Sequence, residues 1–230
     1  MHHVHGIPID YDARSYGAAR ERAGGTDERL AEEYFDAQFN MVRALRPVVV
    51  GHFDLVKLLS ADREGGFRQW PGVWERVERN LRVVVAYGGL VEVNAAGLRK
   101  GLREPYPGAE ICRVSFLSMT KVLRSRGAWS VDWRVLTFSW QAFLAMGGRF
   151  TLSDDSHGVE QVGTNYERVL QFVEETGIKE VHFLERGGVA FDHRFPNVSV
   201  SSASLAELKR HAFWRVGRSN DGFPEETPKS

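Results

Sequence analysis

Asp155 and His157 stand two residues apart in "RFTLSDDSHG", residues 149–158, where a β-prone run ends in polar residues. In an extended segment that spacing turns both side chains to one face. A carboxylate and an imidazole so placed are a donor pair for zinc, iron or manganese. The same residues also suit a capped polar turn, because Asp and Ser are common turn formers. His52, in "VVVGHFDL", follows another β-branched run and reads either as a ligand or as a hydrogen-bonded core histidine. Asp54 could orient the second ring nitrogen of His52, as metal-bound histidines require, or cap the segment that follows. "HHVH" at the start offers His2, His3 and His5, and His3 with His5 repeats the chelating spacing; an expression scar or disordered terminus is the alternative. Arg99, Lys100 and Arg103 follow Asn94 closely, between and beyond Gly97 and Gly101, and read as an anion site or as a solvated loop. Glu32 and Glu33 read as a solvated helix face, and Cys112 as buried packing.

These residues need elements to bring them together, and the pattern supplies an alternation of helices and short apolar strands. Residues 26–45 read as a helix, with Thr26 as cap, acids in its first turns and Pro47 after its end. "PVVVG" reads as a buried strand, 72–87 as a helix, and "GGLVEVN" and "GGRFTLS" as further strands. A helix near 164–175, the strand "IKEVHFL" and a late helix "SLAELKRHA" capped by Ser204 complete the pattern. The alternation predicts an α/β fold with a mainly parallel sheet. In such folds the C-terminal strand ends gather on one rim, where sites are built. Three strands end in polar residues: His52 with Asp54, then Asn94, then Asp154, Asp155 and His157.

Composition sets outer limits. Thirty basic and thirty acidic residues cancel, so bulk charge favours neither nucleic acid nor an anionic membrane. No run approaches the ~18 apolar residues of a membrane span, and "MHHVHGIPID" lacks the charged-then-apolar order of a signal peptide. The single Cys112 leaves no internal disulfide and points to a reducing compartment, the cytoplasm.

Four segments, "HHVHGIPIDYD", "VVVGHFDLVKL", "VEVNAAGLRKGLREPYP" and "GGRFTLSDDSHGVEQVGTNY", taken in order, resemble the polymerase-and-histidinol-phosphatase superfamily. Within it they are similar to the fungal type of histidinol-phosphatase of histidine biosynthesis. The resemblance implies a distorted seven-stranded β/α barrel, with two or three divalent ions (Zn, Mn or Fe) at its C-terminal rim. The implied reaction is hydrolysis of L-histidinol phosphate, a small phosphate ester, to L-histidinol and phosphate. Carried over by motif, His2, His52, Asp155 and His157 are the implied metal ligands, with Asp155 and His157 catalytic and Asn94 and Arg99 near the substrate. His3 and His5 become neighbours of the ligands. The alternatives are a phosphoesterase of the same superfamily with another substrate, or a non-catalytic remnant of the fold.

Two departures stand beside the resemblance. The family pattern begins with a His-x-His strand and a glutamate ahead of the "HHV" segment, so residues 1–217 are expected to form a partial domain, followed by a polar tail at 218–230. The second departure is the segment from Val114 to Gln141. It holds three of the six tryptophans (Trp129, Trp133, Trp140) and is strongly basic, and its removal joins "EICR" to "AFLAMGGRF" as a smooth helix-to-strand passage. It is expected to be a translated intron: Val114-Ser115 can be encoded by a 5′ splice site, Leu136-Thr137 by a branch-site-like string, and Gln141 by CAG. Sequencing of the genomic junctions and of spliced messages should find those codons and a message lacking the segment. Messages that all retain it would make it a genuine insertion.

Overall fold

The alternation of apolar runs and helix signals folds into a mixed α/β architecture. The computed structural model describes residues 1–113, 143–211 and 213. The Val114–Gln141 segment expected to be intronic and the 218–230 tail lie outside the described residues. In chain order the elements are β1 (His3–Val4), β2 (Ile7–Pro8), α1 (Ala13–Arg22), α2 (Asp27–Leu45), β3 (Val49–Val50), α3 (Pro71–Tyr87) and β4 (Leu90–Asn94). Then come α4 (Ala96–Arg99), α5 (Ala109–Cys112), β5 (Arg149–Ser153), α6 (Tyr166–Glu175), β6 (Glu180–Arg186), β7 (Val198–Ser204) and α7 (Leu205–Arg210).

The three strands expected to end in polar residues do pair in parallel, in the order β3-β4-β5. Val50 lies opposite Val91, and Val91 opposite Phe150. β4 is central, and its Leu90, Val91 and Val93 are wholly buried, as a strand covered on both faces requires. Helices α2 and α3 pack against each other, and α3 packs on β4. Trp74, Tyr34 and Phe35 are among their largest fully buried side chains, and Phe53, after β3, is buried with them. Two salt bridges from Arg76, to Glu32 (3.1 Å) and Asp36 (3.0 Å), tie the helices along their outer edge. Glu32 therefore does more than face solvent.

Helix α2 begins and ends as its sequence directs. The Thr26 hydroxyl accepts the amide of Arg29, satisfying one of the unpaired donors of the first turn. At the other end Arg46 is left-handed (φ 43°), and its amide returns to the carbonyl of Val42. The "FDHRFPN" segment, which has no account from sequence alone, closes this end. The guanidinium of Arg194 donates to the carbonyls of Leu45 and Arg46 while pairing with Asp192 (2.9 Å). Orphan carbonyls at a helix C-terminus are natural partners for a cation.

The C-terminal part departs from the expected parallel pattern. β6 forms an antiparallel pair with β7, Glu180 opposite Ser204 and Arg186 opposite Val198. β7 reads "VSVSSAS", whose serines carry no apolar signal on one face, so it does not announce itself as a strand. The helix after it does: Ser204 and Glu207 form a reciprocal capping box at the start of α7. Among the described residues no helix is long and apolar enough to cross a membrane.

His182 on β6 adds a pH dependence. Burial holds its imidazole below the ordinary value, against the pull of Glu180. The unfolded chain therefore takes up the proton first, near the usual histidine value of about 6.5. The contribution is complete above that value and is lost as pH falls through the lower folded one. Replacing His182 by Gln should flatten the loss of urea stability between about pH 8 and about pH 5. A loss equal to that of the parent chain would show that the His182 ring is not what senses the acid.

Candidate active site

Each side chain of the rim is presented by the sheet. β3 and β5 lie on either side of β4, and His52 and Asp155 each come two residues after the last residue of a flanking strand. Both are left-handed although neither is glycine, with φ of 52° at His52 and 53° at Asp155. Such a conformation costs on the order of 1–3 kcal/mol and persists only where surrounding bonds over-determine it. They do. The His52 amide donates to Glu92 Oε2 (3.1 Å), and the His52 carbonyl accepts from the Tyr34 hydroxyl (2.8 Å). The Asp155 amide donates to Ser153 Oγ (3.1 Å), and its carbonyl accepts from Arg99 (3.0 Å).

Helix α2 is cut to hold the first of these turns. Tyr34 and Gln38 sit one helical turn apart on one face. Tyr34 takes the carbonyl of His52, and Gln38 Nε2 takes that of Phe53 (2.9 Å). Asn80 on α3 in turn donates to Gln38 Oε1 (3.1 Å) and to the carbonyl of Phe35 (2.7 Å). The polar groups buried here are thus paired, as burial demands.

The structure brings His2, His52 and Asp155 together. His52 Nε2 lies 3.2 Å from Asp155 Oδ2, and the rings of His2 and His52 are 4.8 Å apart at their centres. His2 Nδ1 donates to Asp10 Oδ2 (2.8 Å). Burial lowers the His52 pKa more than the neighbouring Glu92 and Asp155 raise it, which favours the neutral imidazole. His157 is exposed. Its Nδ1 donates to the backbone carbonyl of Asp155 (2.7 Å), which leaves Nε2 outward. Because Asp155 is left-handed, the segment is not the extended one that the two-residue spacing suggested.

The other expected residues are placed differently from one another. Asn94 is wholly buried; its carboxamide donates to Glu92 Oε2 (3.0 Å) and accepts from the amide of Ala96 (2.8 Å). Arg99 is half-buried and spans the carbonyls of Asp154 (2.9 Å) and Asp155 (3.0 Å). Its terminal nitrogens thus reach the turn that carries Asp155. His3 lies on β1, and His5 pairs with Glu33 on α2, so Glu33 is not simply solvated. Asp54 does not orient His52. Its buried carboxylate accepts from Gly108 (2.9 Å) and pairs with Lys57 (3.1 Å), and its side chain makes no cap bond to the short turn after it. Cys112 is buried, as expected, and burial pushes its thiol up.

Three residues of the site escape the sequence reading: Glu92, Asp10 and Tyr106. Glu92 lies between the buried Val91 and Val93, and one acid inside a buried strand is the signal that marks it. Asp10 is marked only by its place in "GIPIDYD". Tyr106 packs its ring 6.0 Å from that of His52 and exchanges backbone hydrogen bonds with Asn94 (2.7 and 3.1 Å). No local pattern points to that contact.

The fold and site together define a mixed α/β chain with a histidine–carboxylate cluster at the C-terminal ends of a parallel sheet. No family model matches the chain. It is 31% identical over 188 residues to a Schizosaccharomyces pombe protein named "Probable histidinol-phosphatase", a span that covers 81% of this chain and 52% of that protein. It is 31% identical over 193 residues to the histidinol-phosphatase of Saccharomyces cerevisiae, covering 75% of this chain and 50% of that one. These similarities bear out the resemblance to fungal histidinol-phosphatases that the motifs carry. The chain spans about half the length of the curated relatives it matches.

The Tyr34 hydroxyl is a direct test of how the His52 turn is held. Tyr34→Phe leaves the ring in place and the His52 carbonyl without this donor, and should cost about 1–2 kcal/mol in urea unfolding. No change in stability would mean that the left-handed turn is held without the Tyr34 hydroxyl.

Proposed function

We propose that this chain carries part of the active site of a metal-dependent phosphomonoesterase of the polymerase-and-histidinol-phosphatase superfamily. The reaction is hydrolysis of L-histidinol phosphate to L-histidinol and phosphate, in cytoplasmic histidine biosynthesis. The observation that carries the reading is the facing pair His52 Nε2 and Asp155 Oδ2, 3.2 Å apart at the rim. The names of the two fungal relatives supply the substrate. In this reading β3, β4 and β5 are a sector of a β/α barrel.

The spacing and chemistry of the facing pair meet what a divalent ion asks of two of its ligands. Two ligand atoms each about 2.1 Å from a tetrahedral ion lie about 3.4 Å apart, close to the His52–Asp155 separation. Neutral imidazole with carboxylate suits zinc, manganese or iron. His2 and His157 each donate Nδ1–H to an oxygen, the arrangement that leaves Nε2 free to bind. Among the described residues, however, no three His, Cys, Asp or Glu side chains form a group that could hold an ion. The chain therefore offers a ligand pair with two flanking imidazoles. The rest of a full shell we assign to the half of the relatives' length that this chain does not span.

Bound ions would neutralise the phosphate, lower the pKa of a bound water and stabilise the leaving alkoxide. The chain's own residues do the positioning. His52 and Asp155 are fixed by the sheet ends, and His157 is anchored to the backbone beside them. Arg99 is bonded to the Asp155 turn through the carbonyls of Asp154 and Asp155, and the N–H groups it does not spend there are the ones we assign to an anionic substrate. Asn94 acts from behind the rim, since its amide is spent on Glu92 and Ala96.

Phosphate release from L-histidinol phosphate with manganese or zinc tests the reading. It should be measured for this chain and for a version completed to the relatives' length without Val114–Gln141. The completed version should be active, and His52→Ala or Asp155→Asn should each lower its kcat/KM on the order of 100-fold or more. Activity confined to other phosphate esters would keep the class and overturn the substrate. A completed version that releases no phosphate from any ester would make the chain a non-catalytic relative.

A further inference from the structure

Glu92 is the one charged residue of the central strand, and its side chain is 13% exposed. One of its oxygens, Oε2, accepts two hydrogen bonds and faces a third nitrogen. It accepts the His52 amide (3.1 Å) and the Asn94 carboxamide (3.0 Å), and His52 Nδ1 lies 3.6 Å away. The last distance is beyond a hydrogen bond but well within reach of charge. The approach is possible because residue 51 is glycine: a Cβ there would stand 2.9 Å from the same oxygen. Leu90, Glu92 and Asn94 share one face of β4 by strand alternation, so Asn94 braces the carboxylate from the position two residues on.

The His52 ring thus lies between two carboxylates, with Glu92 at Nδ1 and Asp155 at Nε2. A neutral imidazole has one proton and can satisfy only one of them. Glu92 already accepts two other hydrogen bonds, one of which fixes the backbone of His52 itself. We propose that Glu92 is the positioning residue of His52. Through the amide it fixes the left-handed turn, and through its charge it favours the ring proton at Nδ1 once a divalent cation takes the place of the Nε2–Asp155 hydrogen bond of the metal-free ring. The second half of this proposal rests on the metal-dependent reading above; the first half does not.

The test compares the chain with Glu92→Ala and Glu92→Gln. Two readouts are taken: amide hydrogen exchange in the metal-free chain, and zinc affinity by calorimetry, with the His52 ring nitrogens followed by NMR, in the version completed to the relatives' length. In E92A the His52 amide should exchange at least about tenfold faster while Leu81 and Val84 in α3 keep their rates, and zinc should bind on the order of 10- to 100-fold more weakly. E92Q, whose carboxamide oxygen still accepts, should keep the His52 amide slow, yet bind zinc more weakly and lose the Nδ1–H signature of the zinc-bound ring. An unchanged His52 amide in E92A would overturn the proposal. Equal acceleration at Leu81 would also overturn it, since Glu92 would then be a general stabiliser. Should E92A fail to fold, E92Q decides: zinc affinity equal to the parent's removes the charge from the account. If the completed parent binds no zinc, the metal reading fails, and the His52 amide in E92A still decides whether Glu92 sets the turn.

Discussion

The site depends on two residues held in a conformation that neither prefers. His52 and Asp155 are both left-handed, and both leave the end of a strand that flanks β4. Relaxing either turn would swing its side chain away from the other. What prevents this is a set of four hydrogen bonds, one to the amide and one to the carbonyl of each residue, all from side chains. Two of the four involve charged groups, which make the stronger hydrogen bonds. Strain of this kind is found where function requires a fixed geometry.

The donors and acceptors of that set are drawn from different layers. Tyr34 belongs to α2, Glu92 to the centre of the sheet, and Arg99 to the short helix α4 that follows it. Ser153 is the last residue of β5. The helical layer is itself fixed by the buried chain of amides from Asn80 through Gln38 to the carbonyl of Phe53. A buried network of this kind is stabilising only when all its members are paired. Packing of α2 on α3 and the geometry at His52 are therefore two consequences of one arrangement. This explains why polar Gln38 and Asn80 occupy positions in the core that an apolar side chain could fill.

The sequence shows the parts of this system that obey local rules. Thr26 and Ser204 cap helices because a side-chain oxygen can reach an orphan amide three residues on, and that spacing is visible in a string of letters. The strands β3, β4 and β5 are visible because burial on both faces demands apolar runs. His52 and Asp155 stand out because polar residues at strand ends are expected to share a rim. Glu92 does not stand out in the same way: its role depends on Gly51 across the sheet and on a turn forty residues before it. Asp10 and Tyr106 are recruited by contacts with His2 and Asn94 that no spacing encodes. β7 is hidden for a related reason, since its serines pair along a hairpin rather than against a core. Arg194 reads as a surface residue until the helix end it closes is known.

Register ties these local and distant terms together. His52 and Asp155 are 103 residues apart in sequence, yet their side chains meet at 3.2 Å. No segment joins them directly; each is placed by its own ladder to β4. The β4–β5 ladder runs over five pairs, from Leu90–Arg149 to Asn94–Ser153. A slip of one residue would move Asp155 by about 3.3 Å and turn the faces of β5 over. That displacement is as large as the contact it would break. The buried Phe150, opposite Val91 and packed edge-on to Phe143 at 5.0 Å, would then face away from its partners. The apolar residues that set the register of β5 thus also set the distance between the two candidate ligands, and the core and the site cannot vary independently.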